Sequence, residues 1–119
     1  MSFAFFFPGQ GSQSLGMMNG FAEQAIVKAT FDEASAVLGQ DLWAMINGED
    51  AELIGQTVNT QPIMLAAGVA VYRAYLEAGG KIPSVVAGHS LGEYTALVAA
   101  GALDFADAVK LVRLRAELM

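Results

Sequence analysis

Cysteine is absent from the 119 residues. That excludes disulfides and thiolate metal sites, and it fits a reducing compartment. Histidine occurs once, as His89, and no carboxylates cluster at ligand spacing, so no metal site is expected. Basic residues are scarce: 6 Lys and Arg stand against 12 Asp and Glu, for a formal net charge of -6. With no basic run, the electrostatic footprint of a nucleic-acid-binding protein is missing. Long hydrophobic runs are missing too. The longest, Ile63 to Tyr72, stops at Arg73 and is about half the length of a membrane-spanning helix. The start, Met1-Ser2-Phe3-Ala4, lacks the basic region of a signal peptide. These absences predict a cytoplasmic protein with neither nucleic acid nor membrane as a partner.

Charge as a whole is sparse. Only 15% of residues are charged while 55% are hydrophobic, and the mean hydropathy is +0.46. Small free-standing domains carry more charge, because more of their surface meets water. The composition therefore suggests part of something larger. So does the last segment, which is still in helical register at Met119 with no glycine or proline stop.

Phe3 to Phe7 is an apolar run too short for a helix, and it reads as a strand covered on both faces. Pro8 ends it, and Gly9-Gln10-Gly11-Ser12-Gln13 forms a loop. Residues 21–38 carry helical spacing at Ala25, Phe31, Ala34, Val37 and Leu38, stopped by Gly39. Asp41 caps a short helix to Ile46, and Asn47-Gly48 is a turn signal. The next helix opens at Gln61-Pro62 with Thr60 as N-cap and ends near Gly79-Gly80. A second strand spans 84–87, a helix 91–100, and a last helix is capped by Asp104 with Asp107 three residues on. Strands alternating with helices indicate an α/β fold with a parallel sheet.

Between that second strand and its helix lies Gly88-His89-Ser90-Leu91-Gly92. Strand, G-x-S-x-G, helix is the context of a nucleophile elbow. A serine on so sharp a turn has strained backbone angles. The residues two before and two after it approach each other closely, so both are best as glycine. Ser90 then sits at a helix N-terminus, where free N–H groups and the helix dipole favour negative charge. The N–H of Leu91 is a natural oxyanion donor. Chance placement of glycines yields the pattern with a probability of roughly 0.07, and the flanking elements lower it further. His89 is not the base for Ser90: neighbours on an elbow point apart. It is expected to pack beneath the turn.

The last helix carries a second signal. With Phe105 at zero and about 100° per residue, Asp107, Lys110, Arg113 and Glu117 occupy the arc from roughly 80° to 200°. Arg115 falls near 280°, between Leu111 and Ala108, which predicts that Arg115 is buried and Arg113 solvated. A buried guanidinium needs an anionic partner. That partner is either an internal carboxylate or set of carbonyls, or a substrate carboxylate gripped in bidentate fashion.

Phe7-Pro8-Gly9-Gln10-Gly11-Ser12-Gln13, Thr60-Gln61-Pro62, Gly88-His89-Ser90-Leu91-Gly92-Glu93-Tyr94 and Arg115, in this order, closely resemble the malonyl-CoA:acyl carrier protein transacylases of bacterial fatty acid synthesis. The acyltransferase domains of polyketide synthases share the pattern. The resemblance implies an α/β-hydrolase-like parallel sheet with flanking helices, of which residues 1–119 supply the N-terminal portion of the large subdomain. The small ferredoxin-like subdomain and the C-terminal part would lie outside. It further implies Ser90 as nucleophile, the N–H groups of Gln10 and Leu91 as oxyanion hole, Arg115 on the malonyl carboxylate and Gln61 in the pocket. The partners implied are malonyl-CoA, as a substrate rather than a cofactor, and acyl carrier protein. The family's catalytic histidine falls beyond these residues, so the chain alone is expected to have little activity.

Two rival readings follow from the residues. A serine esterase or thioesterase of the α/β-hydrolase class would have no use for Arg115 as a carboxylate clamp. A non-catalytic piece that self-associates would follow from the high apolar content and an open sheet edge.

Overall fold

The structure, a computed structural model, describes residues 3–11, 13–21 and 23–119. Ser12 of the N-terminal loop motif lies outside the described residues. The elements run β1 (Ala4–Phe7), a 3-10 turn (Asn19–Phe21), α1 (Ala25–Leu38), α2 (Leu42–Ile46), α3 (Ala51–Gly55), α4 (Thr57–Glu77), β2 (Val85–Gly88), α5 (Leu91–Ala99) and α6 (Phe105–Leu118). β1 and β2 pair in parallel, with Ala4 opposite Val85 and Phe7 opposite Gly88. This is the expected α/β arrangement: a small parallel sheet with flanking helices.

Helix α4 is the centre of the molecule, with α1, α3, α5 and α6 packed around it. Its residues Asn59 to Ala67 are all buried, which is why its sequence is apolar on every side rather than along one stripe. Phe31, Leu42, Ile46, Ile63, Leu65, Leu91, Val109 and Val112 form the fully buried core around it. A second cluster joins α4 and α5 to the sheet through Phe7, Tyr72 and Ala96, where the Phe5 and Phe7 rings meet Tyr72 edge-on at 5.5 and 6.1 Å.

Local chemistry explains most boundaries. Asp41 accepts from the Ala44 N–H and Asp104 from the Asp107 N–H, as side-chain caps do. Gly39 ends α1 in the left-handed region, φ 70°, where glycine has no steric penalty. Helix α3, capped by Asp50, has no counterpart in the sequence reading.

Three expectations are corrected. First, β1 is covered on one face only. Phe7 is buried, but Phe6 is 68% exposed and Val85 of β2 58% exposed. With Phe6 opposite Ala87, Ala4, Phe6, Val85 and Ala87 form one open face. The helices all pack on the other face, so the apolar run has a covering layer on one side. Second, α4 begins at Thr57 rather than at Gln61-Pro62, and Pro62 lies inside it. The N–H groups of Asn59 and Thr60 already bond the Gln56 carbonyl. Thr60 is no cap: its hydroxyl donates to the Ile54 and Gln56 carbonyls. Third, α1 starts at Ala25 instead of residue 21, and Ala25 is exposed.

Candidate active site

Ser90 has φ 55° and ψ -115° and is the only non-glycine residue with positive φ among the described residues. Such a conformation costs on the order of 1–3 kcal/mol and persists only where the surroundings impose it. Three glycines impose it here. A Cβ on Gly88 would lie 2.0 Å from the Gly92 carbonyl oxygen. One on Gly92 would lie 2.1 Å from the Phe7 carbonyl oxygen, and one on Gly9 2.7 Å from the His89 carbonyl oxygen. The backbone at the ends of β1 and β2 and at the start of α5 therefore meets at distances no side chain permits. The His89 N–H donates to the Phe7 carbonyl at 3.3 Å, and the Gly92 N–H to the His89 carbonyl at 3.0 Å. These bonds hold the turn closed, and the exposed Ser90 tops it.

The first N–H groups of a helix lack partners within it. That of Leu91, the first residue of α5, donates to no acceptor among the described residues. It is free to meet a developing oxyanion beside Ser90. The N-terminal loop approaches the same place: a Cβ on Gly9 would sit 3.6 Å from Ser90 Cβ and 3.7 Å from the Leu91 nitrogen. Gln10, next along, is thereby set at the rim of the elbow. Its side chain donates from Nε2 to Thr57 Oγ1 at 3.0 Å.

Arg115 of α6 reaches the elbow. One guanidinium nitrogen donates to Ser90 Oγ at 3.1 Å, and the other donates to Gln61 Oε1 at 2.8 Å. Its carbon lies 5.6 Å from the centre of the Tyr94 ring, within cation–π range. Gln61 is fully buried. Because arginine has no acceptor, Gln61 must turn its oxygen to Arg115. Its amide nitrogen then faces Met119 Sδ at 2.9 Å. Ser90 of the elbow, Gln61 of α4 and Arg115 of α6, remote in sequence, thus form one connected group.

Three side chains depart from expectation. Arg115 is half-buried at the margin of α6's packed arc, and its flanking residues Leu111 and Leu114 are 42% and 51% exposed. Arg113, expected in solvent, is half-buried and bonds Gln40 Oε1. The reason is that α6 packs on α1 and α4 through Phe105, Ala108, Val109, Val112 and Ala116. That centres its buried arc away from the Leu111–Leu114–Leu118 side. His89 is exposed rather than packed beneath the turn, and among the described residues no hydrogen bond joins it to Ser90. Thr57 stands in none of the motifs above, and Tyr94 enters only as the last residue of the Gly88–Tyr94 motif. The signals that point to them are helical spacing: Thr57 lies one turn before Gln61, and Tyr94 one turn after Ser90.

Residues 4–119 match the acyl transferase domain family. The malonyl CoA-acyl carrier protein transacylase of Escherichia coli K12 is 56% identical over 118 residues, which are 98% of this chain and 38% of that protein. The crystal structure of an acyl-carrier-protein S-malonyltransferase from Burkholderia pseudomallei superposes with a TM-score of 0.98 at 61% identity, over 100% of this chain and 39% of that one. A malonyl-transacylase in complex with its type II PKS acyl-carrier protein superposes with a TM-score of 0.95 at 53% identity, over 99% of this chain and 38% of that one. The chain therefore spans about 38% of the length of the curated relatives it matches.

Proposed function

Since the chain belongs to the acyl transferase domain family, we propose that it contributes the nucleophile and the acyl-group clamp of a malonyl-CoA:acyl carrier protein transacylase. The observation that carries this reading is the contact of Arg115 with both Ser90 and Gln61. A guanidinium within hydrogen-bond distance of a nucleophilic oxygen can grip a carboxylate only a few bonds beyond that oxygen. A malonyl ester on Ser90 has its carboxylate there. A neutral acyl group has nothing to offer Arg115, so this geometry favours transfer of a malonyl group over the esterase reading.

The chemistry follows from the elbow. Ser90 Oγ attacks the thioester carbonyl of malonyl-CoA. The resulting oxyanion lies against the N–H groups of Leu91 and Gln10, donors fixed before the charge appears. Arg115 leaves Ser90 Oγ for the malonyl carboxylate, and Gln61 steadies it through Oε1. Collapse of the tetrahedral intermediate breaks the carbon–sulfur bond and releases the CoA thiol, leaving a seryl ester. The phosphopantetheine thiol of acyl carrier protein attacks that ester, takes the malonyl group and regenerates Ser90. The base that takes the Ser90 proton is assigned to the part of the large, α/β-hydrolase-like subdomain outside these residues. Residues 1–119 are read as the N-terminal portion of that subdomain. The cysteine-free, acidic composition fits a cytoplasmic setting for this step of fatty acid synthesis. Among the described residues no helix is long and apolar enough to cross a membrane.

Intact-mass spectrometry of the full-length acyltransferase carrying this segment tests the reading. After exposure to malonyl-CoA, one malonyl adduct is expected on the parent protein and none on Ser90→Ala. An adduct that survives the substitution would refute Ser90 as nucleophile.

A further inference from the structure

One residue outside the reacting groups touches the loop on which the second oxyanion donor is carried. The described residues of the loop after β1, 8–11 and 13, carry a turn at Gln10 and Gly11, with Gly11 at φ 109°. Within it, the Gly11 N–H bonds Gln13 Oε1 at 2.8 Å, which shapes the loop without fastening it to anything else. Among the described residues, a single side-chain hydrogen bond leads from this loop to another element: Gln10 Nε2 to Thr57 Oγ1, 3.0 Å, across 47 positions of sequence. Thr57 is the first residue of α4. Gln61, one turn on in the same helix, orients Arg115. One rigid helix therefore holds the clamp through Gln61 and reaches the oxyanion loop through Thr57.

We propose that Thr57 is a positioning residue for the oxyanion hole: its hydroxyl anchors the Gln10 side chain, and so fixes the Gln10 backbone N–H opposite that of Leu91. The inference rests on the reading of Gln10 and Leu91 as the oxyanion donors. The physical need is specific. An oxyanion donor lowers the barrier only if it is already aimed when the charge develops. Gly9 packs against the elbow and the Gly16 N–H bonds the Ile46 carbonyl, but a donor on the turn between those points that is not itself tethered must be ordered during the reaction, which costs entropy at the moment it is needed. Tethering the side chain of the donor residue itself is a direct way to remove that freedom. The anchor touches neither the carboxylate clamp nor the nucleophile, so it acts on the transition state and leaves ground-state binding of malonyl-CoA alone.

The test uses four variants of the full-length acyltransferase carrying this segment: Thr57→Val, Thr57→Ser, Gln10→Ala and the double Thr57→Val with Gln10→Ala. Valine keeps the shape of threonine and removes the hydroxyl, serine keeps the hydroxyl, and alanine at 10 keeps the backbone N–H while removing the amide. Thr57→Val is expected to lower kcat about tenfold, less than the ~100-fold or more for complete loss of an oxyanion donor, with KM for malonyl-CoA unchanged. Thr57→Ser should restore kcat. Because both single changes break one bond, the double variant should be no slower than the slower single, a non-additivity a folding defect does not produce. Wild-type kcat in Thr57→Val, an equal loss in Thr57→Ser, or losses that multiply in the double variant would each overturn the anchor. Those results, with the Ser90 ester still forming at full amplitude in the parent, would leave the nucleophile assignment standing.

Discussion

At the scale of single residues, the proposed preference for a carboxylate-bearing acyl group rests on Arg115. Its guanidinium has two neutral partners, Ser90 Oγ and Gln61 Oε1, and the Tyr94 ring nearby. Among the described residues no carboxylate pairs with it, whereas Lys28 and Arg73 each have one, at 2.9 and 3.1 Å. A half-buried cation held by neutral acceptors keeps most of its charge available to an incoming anion. Arg115→Ala should therefore lower kcat/KM for malonyl-CoA by about two orders of magnitude, the ~3 kcal/mol of a charged partner left unpaired. Transfer of an uncharged acyl group should change less than about threefold, because it never used the clamp. Parallel assays with malonyl-CoA and a neutral acyl-CoA check this, and equal losses on both would reassign Arg115 to a structural role. The elbow was legible in the sequence because it is local: five consecutive residues dictate their own turn. Likeness to a family puts Arg115 and Gln61 in one pocket, but their contact was not legible, since helical spacing gives the face of an arginine and not its partner 54 positions away. The Gln10–Thr57 bond was not legible at all, as two polar residues in exposed or half-exposed positions carry no periodic mark.

At the scale of elements, the site is a junction of backbone ends, and its tolerance is set by sterics rather than by side-chain chemistry. The C-terminal ends of β1 and β2 and the N-terminus of α5 converge at Gly9, Gly88 and Gly92. Gly92→Ala places a methyl 2.1 Å from the Phe7 carbonyl oxygen and 3.0 Å from that of Pro8. Both obstacles are backbone, so α5 itself must move, and the Leu91 N–H moves with it. The expected destabilisation lies at or above the upper end of the ~1–3 kcal/mol that overpacking costs. Gly55→Ala is the internal control. It lies in α3, with no heavy atom within 4 Å of the added Cβ and no positive φ, so it should be neutral or stabilising by up to about 1 kcal/mol. Urea denaturation of both variants checks the contrast, and a Gly92→Ala protein as stable as Gly55→Ala would contradict the close approach. Element order was readable from apolar runs and caps, with Asp41 and Asp104 marking helix starts where they occur. The start of α4 was not, because Thr60-Gln61-Pro62 imitates an N-terminus. There the Thr60 hydroxyl turns back to two carbonyls, and the helix has already begun at Thr57.

At the scale of the whole molecule, the apolar run of β1 reads as a strand covered on both faces, whereas the structure covers one, because a continuous apolar pattern marks a strand without showing which of its faces is packed. The open face of the sheet presents Phe6 and Val85, with Ile82 nearby in sequence and 78% exposed. Phe6 also borders a cavity of about 210 Å³ lined by Pro8, Met64, Gly68 and Thr95. The buried Thr95 hydroxyl oxygen has no hydrogen-bond partner among the described residues. Separately, Leu111, Leu114 and Leu118 of α6 form a second exposed apolar stripe beside Arg115. A two-stranded sheet has two unpaired edges, and such edges recruit another chain. Uncovered apolar faces of this kind mark sites of association. The 119-residue chain by itself should therefore self-associate, giving a mass above 12.5 kDa by light scattering. Phe6→Glu with Val85→Lys should shift it toward the monomer by placing charge on the open face. The same chain should show little malonyl transfer, since its one histidine is exposed and forms no bond to Ser90. A well-behaved monomer would mean that the open face is solvated as it stands. Rapid turnover by that monomer would mean that Ser90 is activated by a group within these residues, and the assignment of the base to sequence outside them would fall.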